Sequence, residues 1–377
     1  MISFTCEKAA LASAVGIASR TVSPKSTIPA LEGILIEAGA MLRLTGYDLE
    51  TGIKTSIPAN ITEMGAIVLP ARIFGDIVRR MPDDIISFRA KDDLSVTIES
   101  GMSRFDLVGI EAQNFPAMPD VDEMNAVTIG QNTIKSMIAD TLFAVSSDDT
   151  RPILTGELFD IEDNILTLVA VDGYRLAIRR EAVLENEYGN ISFVVPSRAL
   201  SEVEKLCSEE GEDALITVGS KHIAFGIGPT TLVSRRLEGE FLNYKKSVLR
   251  DGPIFIECDR RALLGAFERV SIVITDREKI KTAVRCKFDL GEVKLSANTA
   301  LGSAIDVCSI DGDGGGLEIG FNNRFMLEAL RAIRDDRVRL ELKSELSPCV
   351  IAPAKGGNGE DPIEEHFTHM VLPVRLR

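Results

Sequence analysis

Leu42-Arg43-Leu44-Thr45-Gly46-Tyr47-Asp48 reads as a short strand that runs into a turn, and the chain repeats it twice. The second copy is Leu166-Thr167-Leu168-Val169-Ala170-Val171-Asp172 and the third Val293-Lys294-Leu295-Ser296-Ala297-Asn298. The anchor leucines 44, 168 and 295 stand 124 and 127 residues apart. A second set of anchors follows each copy at matching distance: Leu69-Pro70-Ala71-Arg72, Val195-Pro196-Ser197-Arg198 and Gly320-Phe321-Asn322-Asn323. A period of this length is domain-sized, so the chain reads as one domain used three times. The expected boundaries are 1–122, 123–248 and 249–377, with polar linkers around 119–126 and 245–252.

Around each anchor the elements come in the same order. An amphipathic helix is first, with Leu11, Val15 and Ala18 on one face in the first copy. Ile134, Met137, Ile138 and Leu142 form that face in the second copy, and Leu263, Leu264 and Phe267 in the third. A hairpin of alternating apolar residues follows: Ile34–Ile36 with Met41–Leu44, Leu158–Ile161 with Ile165–Leu168, and Cys286–Leu290 with Val293–Leu295. Ala38-Gly39-Ala40, Glu162-Asp163-Asn164 and Gly291-Glu292 are the expected turns. A second helix opens after each later anchor, over 71–81, 197–208 and 322–334. Pro70 and Pro196 precede it, where a missing N–H is harmless. Strands such as 85–88 with 94–98 and 214–217 with 223–225 complete an α+β domain of two helices against antiparallel sheet.

Composition narrows the class. At 377 residues the chain is long for one core, and 45% hydrophobic with 26% charged is ordinary globular usage. The N-terminus lacks a basic segment followed by an apolar one, so no signal peptide is expected, and no apolar run suggests a membrane partner. Six scattered cysteines without a CxxC pair point to reduced structural thiols in a cytoplasmic protein. The net charge is −15, yet the six helical windows hold 14 Lys and Arg against 8 Asp and Glu. A basic helical surface on an acidic protein favours a polyanion gripped by its phosphates, and the absence of Trp argues against base stacking. Three domains about 35 Å across close around a hole of only about 5 Å, whereas six leave roughly 35 Å, wider than duplex DNA. Three tandem domains therefore need a head-to-tail dimer to encircle a duplex.

Taken in order across the whole chain, the motifs resemble the bacterial DNA polymerase sliding clamps, the β subunits of the replicative polymerase III holoenzyme. The residues that carry the likeness are Leu44–Glu50, Val68–Arg72, Ser103–Phe105, Val171–Ala177, Val194–Arg198, Glu318–Asn322 and Leu372–Leu376. The resemblance implies a fold of three clamp domains in a head-to-tail homodimeric ring. It implies a non-catalytic processivity subunit that surrounds duplex DNA without reading sequence and tethers the replicative polymerase. No cofactor or metal is implied. The implied partners are double-stranded DNA, a second copy of the chain, the clamp loader, the polymerase and other proteins that carry a clamp-binding motif.

Residue by residue, the likeness places a peptide pocket on Leu154, Val171, Gly173, Tyr174, Arg175 and Leu176. Leu242, Lys246, Asn322, Phe325 and Leu346 extend it, and the tail Val371, Leu372, Pro373, Val374, Arg375 and Leu376 completes it. Apolar members would form a slot, Arg175 and Arg375 would orient the peptide, and Gly173 would allow close backbone approach. Asp172-Gly173 also reads as an ordinary tight turn. DNA contacts fall on Lys25, Arg72, Arg151 and Arg198, with Arg79 and Arg80 beside them. They would hold phosphates and not bases, as sliding requires. The dimer contact falls on Arg104, Phe105 and Leu107 against an exposed Ile272-Val273-Ile274.

The chain departs from the family at several points. Arg377 is added at the end, Lys355–Asp361 reads as a polar insertion, and 275–281 reads as a lengthened loop. Leu242 stands where proline is usual, and Lys245-Lys246-Ser247 replaces a proline- and arginine-bearing pattern. Enzyme readings find little support. His366 and His369 read as a solvated pair without a third metal ligand. Asp311–Gly316 lacks the later ligands of a calcium loop, and no phosphate-binding glycine motif occurs. A β-rich interaction scaffold that does not bind DNA is the alternative, and a carboxylate-dependent nuclease is a remote third.

Overall fold

The computed structural model describes residues 1–82, 84–121, 125–248, 251–274, 283–354 and 366–376. The expected loop 275–281, the whole insertion 355–361, Arg377 and parts of both expected linkers lie outside the described residues. The helices are α1 Lys8–Ala18, α2 Ala71–Arg80, α3 Gln131–Thr141, α4 Ser197–Leu206, the single turn α5 Tyr244–Ser247, α6 Arg260–Val270 and α7 Asn323–Ala332. Six of them stand where apolar spacing predicts. The first helix of each repeat tightens at its end into a 3₁₀ turn, at Ser19–Thr21, Leu142–Ala144 and Ser271–Val273. α7 is capped by Asn322, whose Oδ1 accepts from Arg324 N at 3.0 Å. α6 is capped by Asp259, which accepts from Ala262 N at 2.7 Å.

Among the described residues all strand pairing is antiparallel, in one five-stranded and two ten-stranded sheets. The large sheets run across repeat boundaries. Thr51–Ile57 of the first repeat pairs with Thr230–Arg235 of the second, in register Thr55 to Thr230, whose buried hydroxyls meet at 2.8 Å. Arg175–Ala182 of the second repeat pairs in the same way with Phe367–Val371 of the third. The second and third repeats thus each hand their last strand to the sheet of the repeat before. As a result, contacts divide the chain into two compact units, and the middle repeat is split between them. One unit holds residues 1–135, 184–188 and 198–236; the other holds 136–183, 189–197 and 237–377.

In the first unit α1 and α2 pack together over the sheet. Leu11, Val15, Phe74 and Val78 lie in a core where Phe4 stacks on Phe88 at 4.7 Å and Phe74 meets Phe88 edge-on. In the second unit α6 and α7 bury Leu263, Phe267, Met326 and Leu330 among Val284, Phe288, Leu295 and Phe321. The third repeat differs from the expected simple hairpin. Ala283–Thr299 is one extended run with a register break around Leu290, next to Gly291 at φ 76°. Its first part pairs Cys286 with Ile319, and its second pairs Val293 with Cys308, both on Gly302–Asn322.

The turn after each opening motif is built alike. Asp48 Oδ1 accepts from Glu50 N and Thr51 N at 3.0 and 2.7 Å, and Asp172 Oδ1 from Tyr174 N and Arg175 N at 2.9 and 3.0 Å. In the third repeat the Thr299 hydroxyl accepts from Leu301 N at 3.2 Å. The residue after the acid is left-handed in both cases, Leu49 at φ 76° and Gly173 at φ 90°. Asp172-Gly173 is therefore a turn first, and whatever else it does rests on that.

Candidate functional site

Every expected pocket residue belongs to the second compact unit. Strand alternation and the 172–175 turn set the arrangement. Val171 and Leu176 point into a buried cluster with Leu158, Val169 and Tyr244, against which Leu154, Phe241, Val248 and Met370 pack. Strand Phe367–Val371 lies alongside, Arg175 opposite Val371 and Leu176 opposite Met370. Beyond it the tail is held by two backbone bonds, Leu372 N to Tyr174 O at 2.8 Å and Val374 N to Gly320 O at 2.7 Å. Leu346, Val374, Arg375 and Leu376 line a cleft of about 210 Å³ together with Gly320 and the carboxylates of Glu318 and Glu345. Tyr174, Leu242 and Leu346 are exposed.

Two members of the expected pocket do something else. Arg175 was expected to orient a peptide, but its side chain is only 4% exposed. Its Nε donates to Asp172 Oδ2 at 3.0 Å, Nη2 to Phe143 O at 2.5 Å, and Nη1 to Glu328. The guanidinium lies 4.4 Å from the Phe325 ring centre and 5.2 Å from that of Phe143, and Phe325 in turn stacks with Tyr174. With its donors taken up inside the protein, Arg175 fixes Tyr174 and Phe325 in place. Asn322 is buried and its side-chain oxygen caps α7. Arg375, by contrast, is exposed, as is Lys246. Lys245 is tied to Glu162 and Asp160 at 2.6 and 3.3 Å, and the Glu162 hydrogen bond helps push its pKa up to about 12.

Glu318, Glu345, Phe241, Tyr244 and Met370 were not singled out for the pocket from sequence. Tyr244 stands just before the second expected linker. Its hydroxyl donates to Asp160 at 2.7 Å, and burial raises its pKa to about 12.

All six expected DNA contacts, Lys25, Arg72, Arg79, Arg80, Arg151 and Arg198, are exposed. Arg72, Arg79 and Arg80 ride on α2, where Arg79 pairs with Asp76 at 2.7 Å. Arg198 opens α4 and meets Asp48 at 2.9 Å. Lys25 and Arg151 precede the equivalent 3₁₀ turns Pro29–Glu32 and Pro152–Thr155.

The expected dimer surface needs one correction. Ile272 is 80% exposed, Val273 is half-buried, and Ile274 is only 5% exposed, packed in the core with Phe267 and Val270. The turn Ser271–Val273 rotates one isoleucine outward and the other inward. Arg104 and Phe105 are exposed on Ser103–Val108, an end strand that pairs with Ser95–Ser100 on one side only; Leu107 is half-buried. Among the described residues Gly302–Val307 likewise pairs on one side only, with 294–299, and leaves Ile305 and Val307 exposed.

The expectation of a solvated histidine pair also changes. His369 is buried between Phe143 and Phe367, each 5.5 Å away, and burial drops its pKa to about 4. His366 is half-buried, 3.4 Å from Glu181. Residues three apart in extended chain face opposite sides, so the two do not converge on a metal. No group of three potential metal ligands occurs among the described residues. Asp311–Gly316 lies within the strand Gly302–Asn322, and Asp311 pairs with Arg337. All six cysteines are buried, and burial raises the pKa of each thiol. No described helix is long and apolar enough to cross a membrane.

Comparison with known proteins gives matches along the whole chain. The family models for the N-terminal, central and C-terminal domains of the DNA polymerase III beta subunit match residues 2–119, 128–243 and 250–375. A beta sliding clamp of Staphylococcus epidermidis is 31% identical over 386 residues, covering 100% of both chains. The crystal structure of the DNA polymerase sliding clamp from Bacillus subtilis superimposes with a TM-score of 0.94 at 27% identity, covering 100% of each chain. A Pseudomonas aeruginosa sliding clamp, DNA polymerase III subunit beta bound to griselimycin, gives a TM-score of 0.91 at 28% identity, again with full coverage of both.

Proposed function

The chain belongs to the DNA polymerase III beta subunit family, the beta sliding clamps, and from that membership we propose how its own residues do the work of a processivity clamp. It is a non-catalytic subunit that holds a DNA polymerase to its template. Two copies join head to tail into a ring around duplex DNA, with repeats bounded at 1–122, 123–248 and 249–377. The observation that carries this reading is the handing on of strands. The first repeat's Thr51–Ile57 takes the second repeat's last strand, and the second repeat's Arg175–Ala182 takes the third's. One strand of each kind is left over, Gly302–Val307 at the end of the series and Ser103–Val108 at its start. Pairing the two between copies continues the series and closes it, with Ile272, Phe105, Ile305 and Val307 covered.

Lys25, Arg72, Arg79, Arg80, Arg151 and Arg198 meet duplex phosphates without reading bases. The apolar cluster around Val171 and Leu176, with the cleft at Leu346 and Val374, receives a short peptide from the polymerase, the clamp loader and other proteins bearing the same motif. The protein works in the cytoplasm, where its buried thiols stay reduced. Retention on a nicked circular plasmid before and after linearisation tests the ring: the loaded protein stays on the circle and runs off the linear form. Equal loss from both would leave the scaffold alternative. Deleting 372–377 tests the pocket, because it removes both tail hydrogen bonds and three of the seven residues that line the cleft. Peptide affinity falls at least tenfold by titration while dimer mass is unchanged.

A further inference from the structure

The turn acid of the first repeat is partnered differently from its counterpart in the second. Asp172 gives its second oxygen to Arg175, three residues along the same turn. At the matching place the first repeat has Thr51, which carries no charge. Asp48 Oδ2 is buried without a hydrogen-bond partner, and its one ion pair among the described residues is a charge contact with Arg198 Nη2 at 2.9 Å, from the first turn of α4. The Asp48 side chain is 7% exposed and that of Arg198 is 62% exposed. A fixed carboxylate thus holds a solvent-facing cation. Nearby, Glu202 of α4 does the same to Arg20 at 3.2 Å and to Lys205 at 2.7 Å. Lys25, Arg72 and Arg80 have no ion pair among the described residues.

We propose that Asp48 is a positioning residue that withholds Arg198 from full phosphate contact and so limits how tightly the protein grips duplex DNA. The proposal rests on the reading that these cations face a duplex. Each phosphate neutralised by a lysine or arginine steepens the fall of log K with log salt by about 0.9. A cation already paired in the free protein must give up that partner before it can release a counterion, so it contributes less than one full contact. A protein that has to move along DNA is served by such a restraint, because every full contact is one more to break at each step.

Two substitutions remove the charge and keep the turn. Asp48→Asn retains the amide oxygen as acceptor, and Asp48→Thr installs the residue that caps the same turn in the third repeat, Thr299. The full-length protein would be titrated with a short linear duplex over a series of salt concentrations. Each variant should steepen the slope by up to about 0.9, which is at most roughly a threefold greater loss of affinity for a fourfold rise in salt. Adding Arg198→Ala to Asp48→Asn should return the slope to its starting value or make it shallower. Slopes unchanged or shallower in both variants, with Arg72→Ala reducing the slope as expected, would overturn the restraint. If Arg72→Ala leaves the slope alone as well, the fault lies in the placement of the DNA face, and the proposal falls with it. Thermal unfolding of each variant, at the wild-type midpoint, excludes a folding defect as the cause of any change.

Discussion

Arg175 shows how far a residue's role departs from its place in a motif. Its fork spans Asp172, Glu328 and the Phe143 carbonyl, with the rings of Phe143 and Phe325 close by. A lysine keeps the charge but cannot make this planar set of bonds. Arg175→Lys should cost about 1–3 kcal/mol of stability, since it leaves buried acceptors without their hydrogen bonds, and denaturant unfolding measures it. Peptide affinity should fall with it, because Tyr174 and Phe325 lose their anchor. The two isoleucines of the proposed dimer surface make a similar point. Ile272→Asp should yield a folded monomer by sedimentation, with its thermal midpoint kept. Ile274→Asp should lower that midpoint sharply, because it places a carboxylate in the core. The sequence signalled an apolar trio but not which members face out, since a single 3₁₀ turn decides that.

Helices and hairpins were legible because their apolar residues recur at 3.6 and 2, and each was read within one repeat. The joining of Thr51–Ile57 to Thr230–Arg235 was not, for no local pattern links strands almost 180 residues apart. The apolar members of the proposed pocket rest on likeness to a family and on no local pattern. The burial of Arg175 was not legible either, because it depends on Glu328 in another repeat. The same kind of long-range packing sets the acid response of the second unit. Burial raises Asp140 from 3.8 to about 6 against the pull of Arg334 and Arg179, with Glu181 and Asp335 also facing it. His369, on the neighbouring strand, is lowered from 6.5 to about 4. As pH falls through 6 the folded state takes up Asp140's proton before the unfolded state does, which adds stability. Below 6.5 the unfolded state protonates the histidine and the folded state does not until about 4, which removes stability. The two effects oppose each other. Asp140→Asn should therefore make stability drop between about pH 6 and 4.5 with a slope approaching 1.4 kcal/mol per pH unit, and His369→Leu should make it rise. Denaturant midpoints across that range check both signs.

At the scale of the molecule, three repeats make two compact units, because the middle repeat contributes strands to both large sheets. Calorimetry should therefore resolve two unfolding transitions and not three, and limited proteolysis should not release the middle repeat as a folded fragment. The strand hand-over has one more consequence. A series in which every member completes the one before it contains no internal instruction to stop. Whether copies meet their own beginning or run on depends only on the angle turned at each junction. A change that bends a junction by a few degrees, with every hydrogen bond preserved, would turn a closed particle into a growing fibre.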